Sequence, residues 1–266
     1  MPEKRHAGTT AATALVVANM VGTGVFISLG YQLSDFSAAP PILLLWIVGG
    51  LIALCGAYSY AEVATALPRS GGEYHFIGTL YHPSLGFMAG LLSAVIGFAA
   101  PTAVTALALG GYLQRSFHAI PVGVTATAVI LLGSASHALS ARTSARVQVA
   151  ATALKLSLIG AFLVAVLILP GQGDIRWRPA MVDLGETFRP VFASALLFVF
   201  YAYSGWNAAV YGLEEWREPE RTVKRALIGG TLLVLALYVA LNTAFLLAAP
   251  VDALRGVPEI ADVAAR

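Results

Sequence analysis

The chain has 266 residues, of which 58% are hydrophobic and 11% charged, where a soluble domain carries about 25% charged residues. Its mean hydropathy is +0.77. No soluble fold of this size has interior enough for that apolar surface, which excludes an ordinary cytosolic enzyme, a disordered regulator and a disulfide-stapled secreted domain, and a net charge of +2 points to no nucleic-acid partner.

A helix that crosses a bilayer needs about 20 apolar residues. Seven stretches qualify, at 9–33, 41–66, 86–112, 122–139, 147–169, 191–211 and 226–249. The first follows Lys4 and Arg5, as a signal peptide would, but its run is too long and ends on no clean cleavage site. Lys and Arg in the short loops set the orientation. With the N-terminus inside, Lys4, Arg5, Arg69, Arg142, Arg146, Arg217, Arg221, Lys224 and Arg225 are cytoplasmic. Arg115, Arg176, Arg178 and Arg189 are then external, with Arg255 and Arg266 in an external tail. Nine against six favours that orientation.

Two spans carry their own interruptions. The first contains Val21-Gly22-Thr23-Gly24-Val25-Phe26, and the sixth contains Tyr201-Ala202-Tyr203-Ser204-Gly205-Trp206-Asn207. Each mid-helix glycine costs about 1 kcal/mol relative to alanine. Glycine in a spanning helix also marks simple close packing, and Gly86-Phe87-Met88-Ala89-Gly90 is read that way. Two interrupted spans at corresponding places in a five-plus-five repeat point instead to a transporter site. A broken helix leaves bare N–H groups at the start of one half and bare carbonyls at the end of the other. The first suits a carboxylate and the second an ammonium. A zwitterionic amino acid offers both on neighbouring atoms, so no charged side chain is required, and neither break has one close by.

Four stretches resemble the amino acid–polyamine–organocation superfamily, and within it amino acid permeases of the L-type transporter kind. Gly22-Thr23-Gly24-Val25-Phe26 resembles the family's first-helix G-[SA]-G-[IV]-F. Tyr58-Ser59-Tyr60-Ala61-Glu62 with Pro68-Arg69-Ser70-Gly71-Gly72-Glu73-Tyr74 resembles its second-helix exit and cytoplasmic loop. Ser144-Ala145-Arg146-Val147-Gln148 through Leu154-Lys155-Leu156 is similar to the start of its fifth helix, and Ser204-Gly205-Trp206-Asn207 with Glu214-Glu215 to its sixth. The resemblance implies an all-α polytopic membrane protein of LeuT-like inverted-repeat fold, with seven transmembrane helices present and helices 1 and 6 discontinuous. Residues 1–170 would form the first five-helix repeat and 171–266 the start of the second, as in a form truncated after the seventh helix.

The same resemblance assigns the substrate carboxylate to the amides of Gly22, Thr23 and Gly24, with the Thr23 hydroxyl adding a bond or else back-bonding within its helix. Carbonyls of Met20, Tyr201, Ala202 and Ser204 would take the ammonium. Tyr201 stands where relatives carry an aromatic gate, and Trp206 and Asn207 would line the lower cavity. Lys155 is the only basic residue deep in a span, and an ionisable group there is a functional candidate. By resemblance it would tie helix five to helix one and could carry a coupling proton; the alternative is a lysine snorkelling to the interface.

The remaining polar residues read as structural. Glu62 at the inner interface suits a salt bridge or cap, the 214–225 charge cluster a solvated loop, and Cys55 a small packing residue. The histidines His6, His75, His82, His118 and His137 show no metal spacing, and no nucleotide loop or nucleophile–base set is present. The expected function is transport of amino acids, neutral ones by the lack of charge at the breaks, through sodium-independent exchange or proton-coupled uptake. No cofactor is expected, and the partners are the amino acid, the lipid bilayer, a coupling proton and a chain supplying missing helices. The alternative is a non-transporting truncated permease or a subunit dependent on such a partner.

Overall fold

The computed structural model describes residues 8–116, 120–139, 141–257 and 260–265. His6 and His118 lie outside them, as do Lys4, Arg5 and Arg266. In chain order the helices are α1 Thr9–Met20, α2 Gly24–Asp35, α3 Ala39–Ala66, α4 Gly72–Leu80, α5 Pro83–Leu92, α6 Ala100–Ser116, α7 Val122–Leu139 and α8 Ala141–Ile168. There follow α9 Met181–Thr187, α10 Pro190–Tyr203, α11 Pro219–Ala248, α12 Val251–Leu254 and α13 Ile260–Ala264. Proline opens α5, α10 and α11 and stands in the first turn of α3. There its missing N–H has no intrahelical partner to lose.

Among the described residues, five helical runs are long and apolar enough to cross a membrane, and the bent pair α1–α2 makes a sixth. The apolar part of α7, Val122–Ser136, is shorter than the expected fourth span. The third span is one run over Pro83–Gln114, with a wider π turn at Ser93–Ala99 joining α5 to α6. Pro101 follows at once. A proline cannot donate to the ladder one turn back, and a widened turn accommodates the gap.

The chain divides into two compact units, Met1–Gly71 with Ile159–Arg266, and Gly72–Leu158. The first unit draws on both stretches expected as repeats. In it α11 packs along α3 and α1, and α10 lies on α3 and α2. Its core centres on three rings. Trp46 lies 5.4 Å from Tyr238 and 6.0 Å from Tyr203, and the two tyrosines are 5.0 Å apart. All three are essentially solvent-free. A buried polar thread runs through them, since Trp46 Nε1 donates to Gln32 Oε1 at 3.1 Å and the Tyr203 hydroxyl donates to the Trp46 carbonyl at 2.9 Å. Cys55 is exposed rather than packed, correcting the sequence expectation. It sits on a stretch of α3 whose neighbours Leu51 and Ile52 are also exposed.

In the second unit α4 packs on α5 and α6 on α7. An ideal Cβ on Gly86 would fall 2.6 Å from Gly78 Cα, and one on Gly90 3.1 Å from the Tyr74 ring. The Gly86–Gly90 pair therefore seats α5 against α4, a packing role.

Candidate functional site

The first span breaks where its glycines predict. α1 stops at Met20, α2 starts at Gly24, and the two meet at 42°. Thr23 is the N-cap of α2, but its hydroxyl makes no capping bond. The sixth span breaks after Tyr203. Ser204 is extended, Gly205 takes φ +102°, and the chain resumes as a 3₁₀ turn over Trp206–Val210.

The two breaks press against each other, backbone to backbone. A Cβ on Gly24 would lie 2.8 Å from Ala202 Cα, and one on Gly205 2.9 Å from the Asn19 carbonyl oxygen. Gly22 has only the Met20 oxygen near such an atom, at 4.0 Å. The glycines thus divide the work. Gly24 and Gly205 allow contact, and Gly205 also supplies a left-handed conformation that L side chains resist. Gly22 has space beside it, and its N–H donates to the Tyr238 hydroxyl oxygen.

Tyr238, from the middle of α11, joins the breaks. Its buried hydroxyl is 2.6 Å from the Met20 carbonyl oxygen and 3.0 Å from that of Ala202. Those are bare carbonyls at the ends of α1 and α10, and one hydroxyl proton is shared between them. The Tyr201 carbonyl accepts the Ser204 amide at 3.1 Å and the Ser204 hydroxyl at 2.7 Å.

The eight break residues singled out from the sequence, Met20, Gly22, Thr23, Gly24, Tyr201, Ala202, Ser204 and Asn207, all lie in the first unit. Met20, Gly24 and Ala202 are buried, Thr23 and Asn207 are half-buried, and Gly22, Tyr201 and Ser204 are exposed. Asn207 Nδ2 donates to the Tyr211 hydroxyl at 3.3 Å. Trp206 meets Tyr60 edge-on at 5.0 Å. Lys155 belongs to the second unit, half-buried on α8. Reasoning from sequence passed over Tyr238, although a tyrosine and Asn242 four residues on, in a largely apolar span, were a legible signal.

The ends of the first unit carry the charge. On one side Glu62 pairs with Lys224, whose ammonium also stands 5.1 Å from the Tyr58 ring centre. Nearby the Ser70 hydroxyl accepts the Glu214 amide at 3.1 Å, and the Thr9 and Thr222 hydroxyls lie 3.5 Å apart. On the other side Arg176 grips Asp183 through both nitrogens, and Ala180 N–H donates to the same carboxylate at 2.7 Å. The Arg176 guanidinium, then that amide, hold the Asp183 carboxyl below its ordinary range, against the opposing pull of burial. Asp183 in turn raises Arg176 above its already high value.

A family model described as amino acid permease matches residues 8–265. The chain belongs to that family. Membership places it with permeases rather than enzymes, and with its run of apolar helices makes it a multi-pass membrane protein of all-α type. The b(0,+)-type amino acid transporter 1 of Homo sapiens is 29% identical over 248 residues, covering 91% of this permease-family chain and 51% of the relative. The Mus musculus protein of the same name is 27% identical over the same coverage. The large neutral amino acids transporter small subunit 2 of Homo sapiens is 29% identical over 254 residues, covering 92% and 48% respectively. The chain spans about half the length of the curated relatives it matches.

Proposed function

We propose that this permease-family chain carries the broken-helix half of an amino acid transport site, working by alternating access. The observation that bears most weight is the packing of the two breaks, Gly24 on Ala202 and Gly205 on Asn19. It sets the N–H end of α2 beside the carbonyl end of α10. The carboxylate of an amino acid goes to the peptide N–H groups of Gly22, Thr23 and Gly24, helped by the uncapped Thr23 hydroxyl and the positive end of the α2 dipole. Gly22 and Thr23 are the accessible members of that set. The ammonium goes to carbonyls of Met20, Ala202 and Ser204, and to that of Tyr201 only where it displaces the Ser204 hydroxyl, since this carbonyl already accepts both the amide and the hydroxyl of Ser204. Each carbonyl has two lone pairs, so the bond from Tyr238 leaves Met20 and Ala202 one apiece.

The substrates proposed are neutral amino acids, because spans one and six carry no Asp, Glu, Lys or Arg near their breaks in the sequence. The name of one relative, the large neutral amino acids transporter small subunit 2, supports this reading. The mode is sodium-independent exchange or proton-coupled uptake, with Lys155 as the coupling group and Tyr201 as the aromatic gate. The N-terminus is cytoplasmic. Thr9 lies beside Thr222 at the start of α11, near Glu62–Lys224, so the chain start shares a side with Arg217, Arg221, Lys224 and Arg225 of the 214–225 cluster, in keeping with the positive-inside bias. A partner chain fits the small-subunit name of one relative, and residues 1–170 and 171–266 are read as one repeat and the start of its inverted copy.

The test is Thr23→Cys in a Cys55→Ser background. Leucine or alanine should slow labelling of the thiol at position 23, whereas uptake of labelled amino acid into liposomes by this chain alone would refute its dependence on further helices. Labelling that no amino acid slows would overturn the site.

A further inference from the structure

The half-helix α2 is gripped at the end far from the break by chain that follows α11. Gly256 N–H donates to the Gly30 carbonyl at 2.8 Å, and Arg255 Nε donates to the Leu33 carbonyl at 3.0 Å. Leu33 lies in the last turn of α2, where carbonyls lack intrahelical partners. A guanidinium there also meets the negative end of the helix dipole. The contact is closely fitted. A Cβ on Gly30 would fall 2.1 Å from the Val257 carbonyl oxygen and 3.1 Å from that of Leu254. Gly256 takes φ +70°, which turns the segment onto the helix. Leu254 is fully buried, and the segment is anchored where Val251 N–H donates to Asp174 Oδ1 at 2.8 Å.

We propose that residues 250–257 form a strap that positions α2, with Arg255 and Gly256 as its positioning residues, so that releasing the strap shifts the N–H end of α2 at the break. The mechanical argument rests on stiffness. α2 is twelve residues, a rod of about 18 Å. It is not continuous with α1, and the break at residues 21–23 is its joint. A rod jointed at one end and strapped at the other transmits a displacement of the strap to the joint. What the joint binds rests on the amino acid reading above; the mechanical coupling does not. In linkage terms, an amino acid that prefers one placement of α2 favours the docked or undocked strap by the same factor.

The experiment uses Thr23→Cys with Cys55→Ser in the whole chain, comparing the intact strap with Gly30→Ala and with Arg255→Ala. Gly30→Ala pushes the strap away while improving the helix propensity of α2. Arg255→Ala removes the charged hydrogen bond to Leu33 together with an exposed ion pair to Asp252 at 3.6 Å, and keeps the question open should Gly30→Ala fail to fold. Two rates are read, thiol labelling at position 23 and, in Gly30→Ala, tryptic cleavage after Arg255. Both variants should change the labelling rate about fivefold, the effect of one lost hydrogen bond, with Arg255→Lys in between. Gly30→Ala should also speed the cleavage. Faster cleavage with unchanged labelling would overturn the coupling, and no change in either would overturn the strap. A changed labelling rate that no amino acid affects would leave the strap standing and overturn the substrate reading instead.

Discussion

The hydroxyl of Tyr238 lies 2.6 Å from the carbonyl oxygen of Met20, on a helix more than two hundred residues further along the chain. The same hydroxyl reaches Ala202 at the end of α10. One oxygen atom thus ties together the two places where the membrane helices come apart. Tyr238 is held in turn by the rings of Trp46 and Tyr203.

Tyr238→Phe keeps the ring contacts and deletes the tie. Two buried carbonyls lose a donor, and the expected loss of stability is about 1–2 kcal/mol. Thermal unfolding in detergent checks it. A midpoint equal to that of the parent would show that the hydroxyl contributes nothing.

The break glycines should respond unequally. Gly24→Ala meets Ala202 backbone and Gly205→Ala meets Asn19 backbone, the latter also at φ +102°. Each should cost about 3 kcal/mol. Gly22→Ala has open space and should fold as well as the parent. Expression and monodispersity of the three variants side by side give the answer, and equal behaviour would contradict the packing described.

The Arg176–Asp183 pair makes the segment between α8 and α10 sensitive to acid. The folded carboxyl of Asp183 titrates below its unfolded value. Its contribution is therefore complete above the ordinary carboxylate range and is lost as pH falls through the depressed folded value. Arg176 is shifted upward by that same carboxylate and stays charged throughout that window, so the titration that breaks the pair is that of Asp183. The protection factor of the Ala180 amide, which donates to Asp183, should fall on acidification once the intrinsic pH dependence of hydrogen exchange is divided out. Asp183→Asn should exchange faster at neutral pH and with little acid dependence of its protection.

Lys155→Ala should flatten the pH profile of amino acid exchange in liposomes if this lysine carries the coupling proton. A profile unchanged from that of the parent would dismiss the role.

Sequence by itself determined the solvent, the approximate spans and the weak points. Apolar runs of bilayer length need no partner to be recognised, and Gly22, Gly24 and Gly205 mark helix interruption because backbone propensity is local. It went wrong or fell silent where distance along the chain intervenes. Cys55 was expected to pack and is exposed, since an apolar run carries no mark of which side meets protein. Nothing near Gly24 distinguishes it from Gly22, because the difference is made by Ala202. Gly30 reads as one more helical glycine until Val257 is placed against it. Tyr238 becomes the tie between two breaks only through α11 lying along α1 and α3. Tertiary structure alone decided these matters, because side-chain contacts within a bundle depend on how helices cross, and crossing is a property of surfaces far apart in sequence.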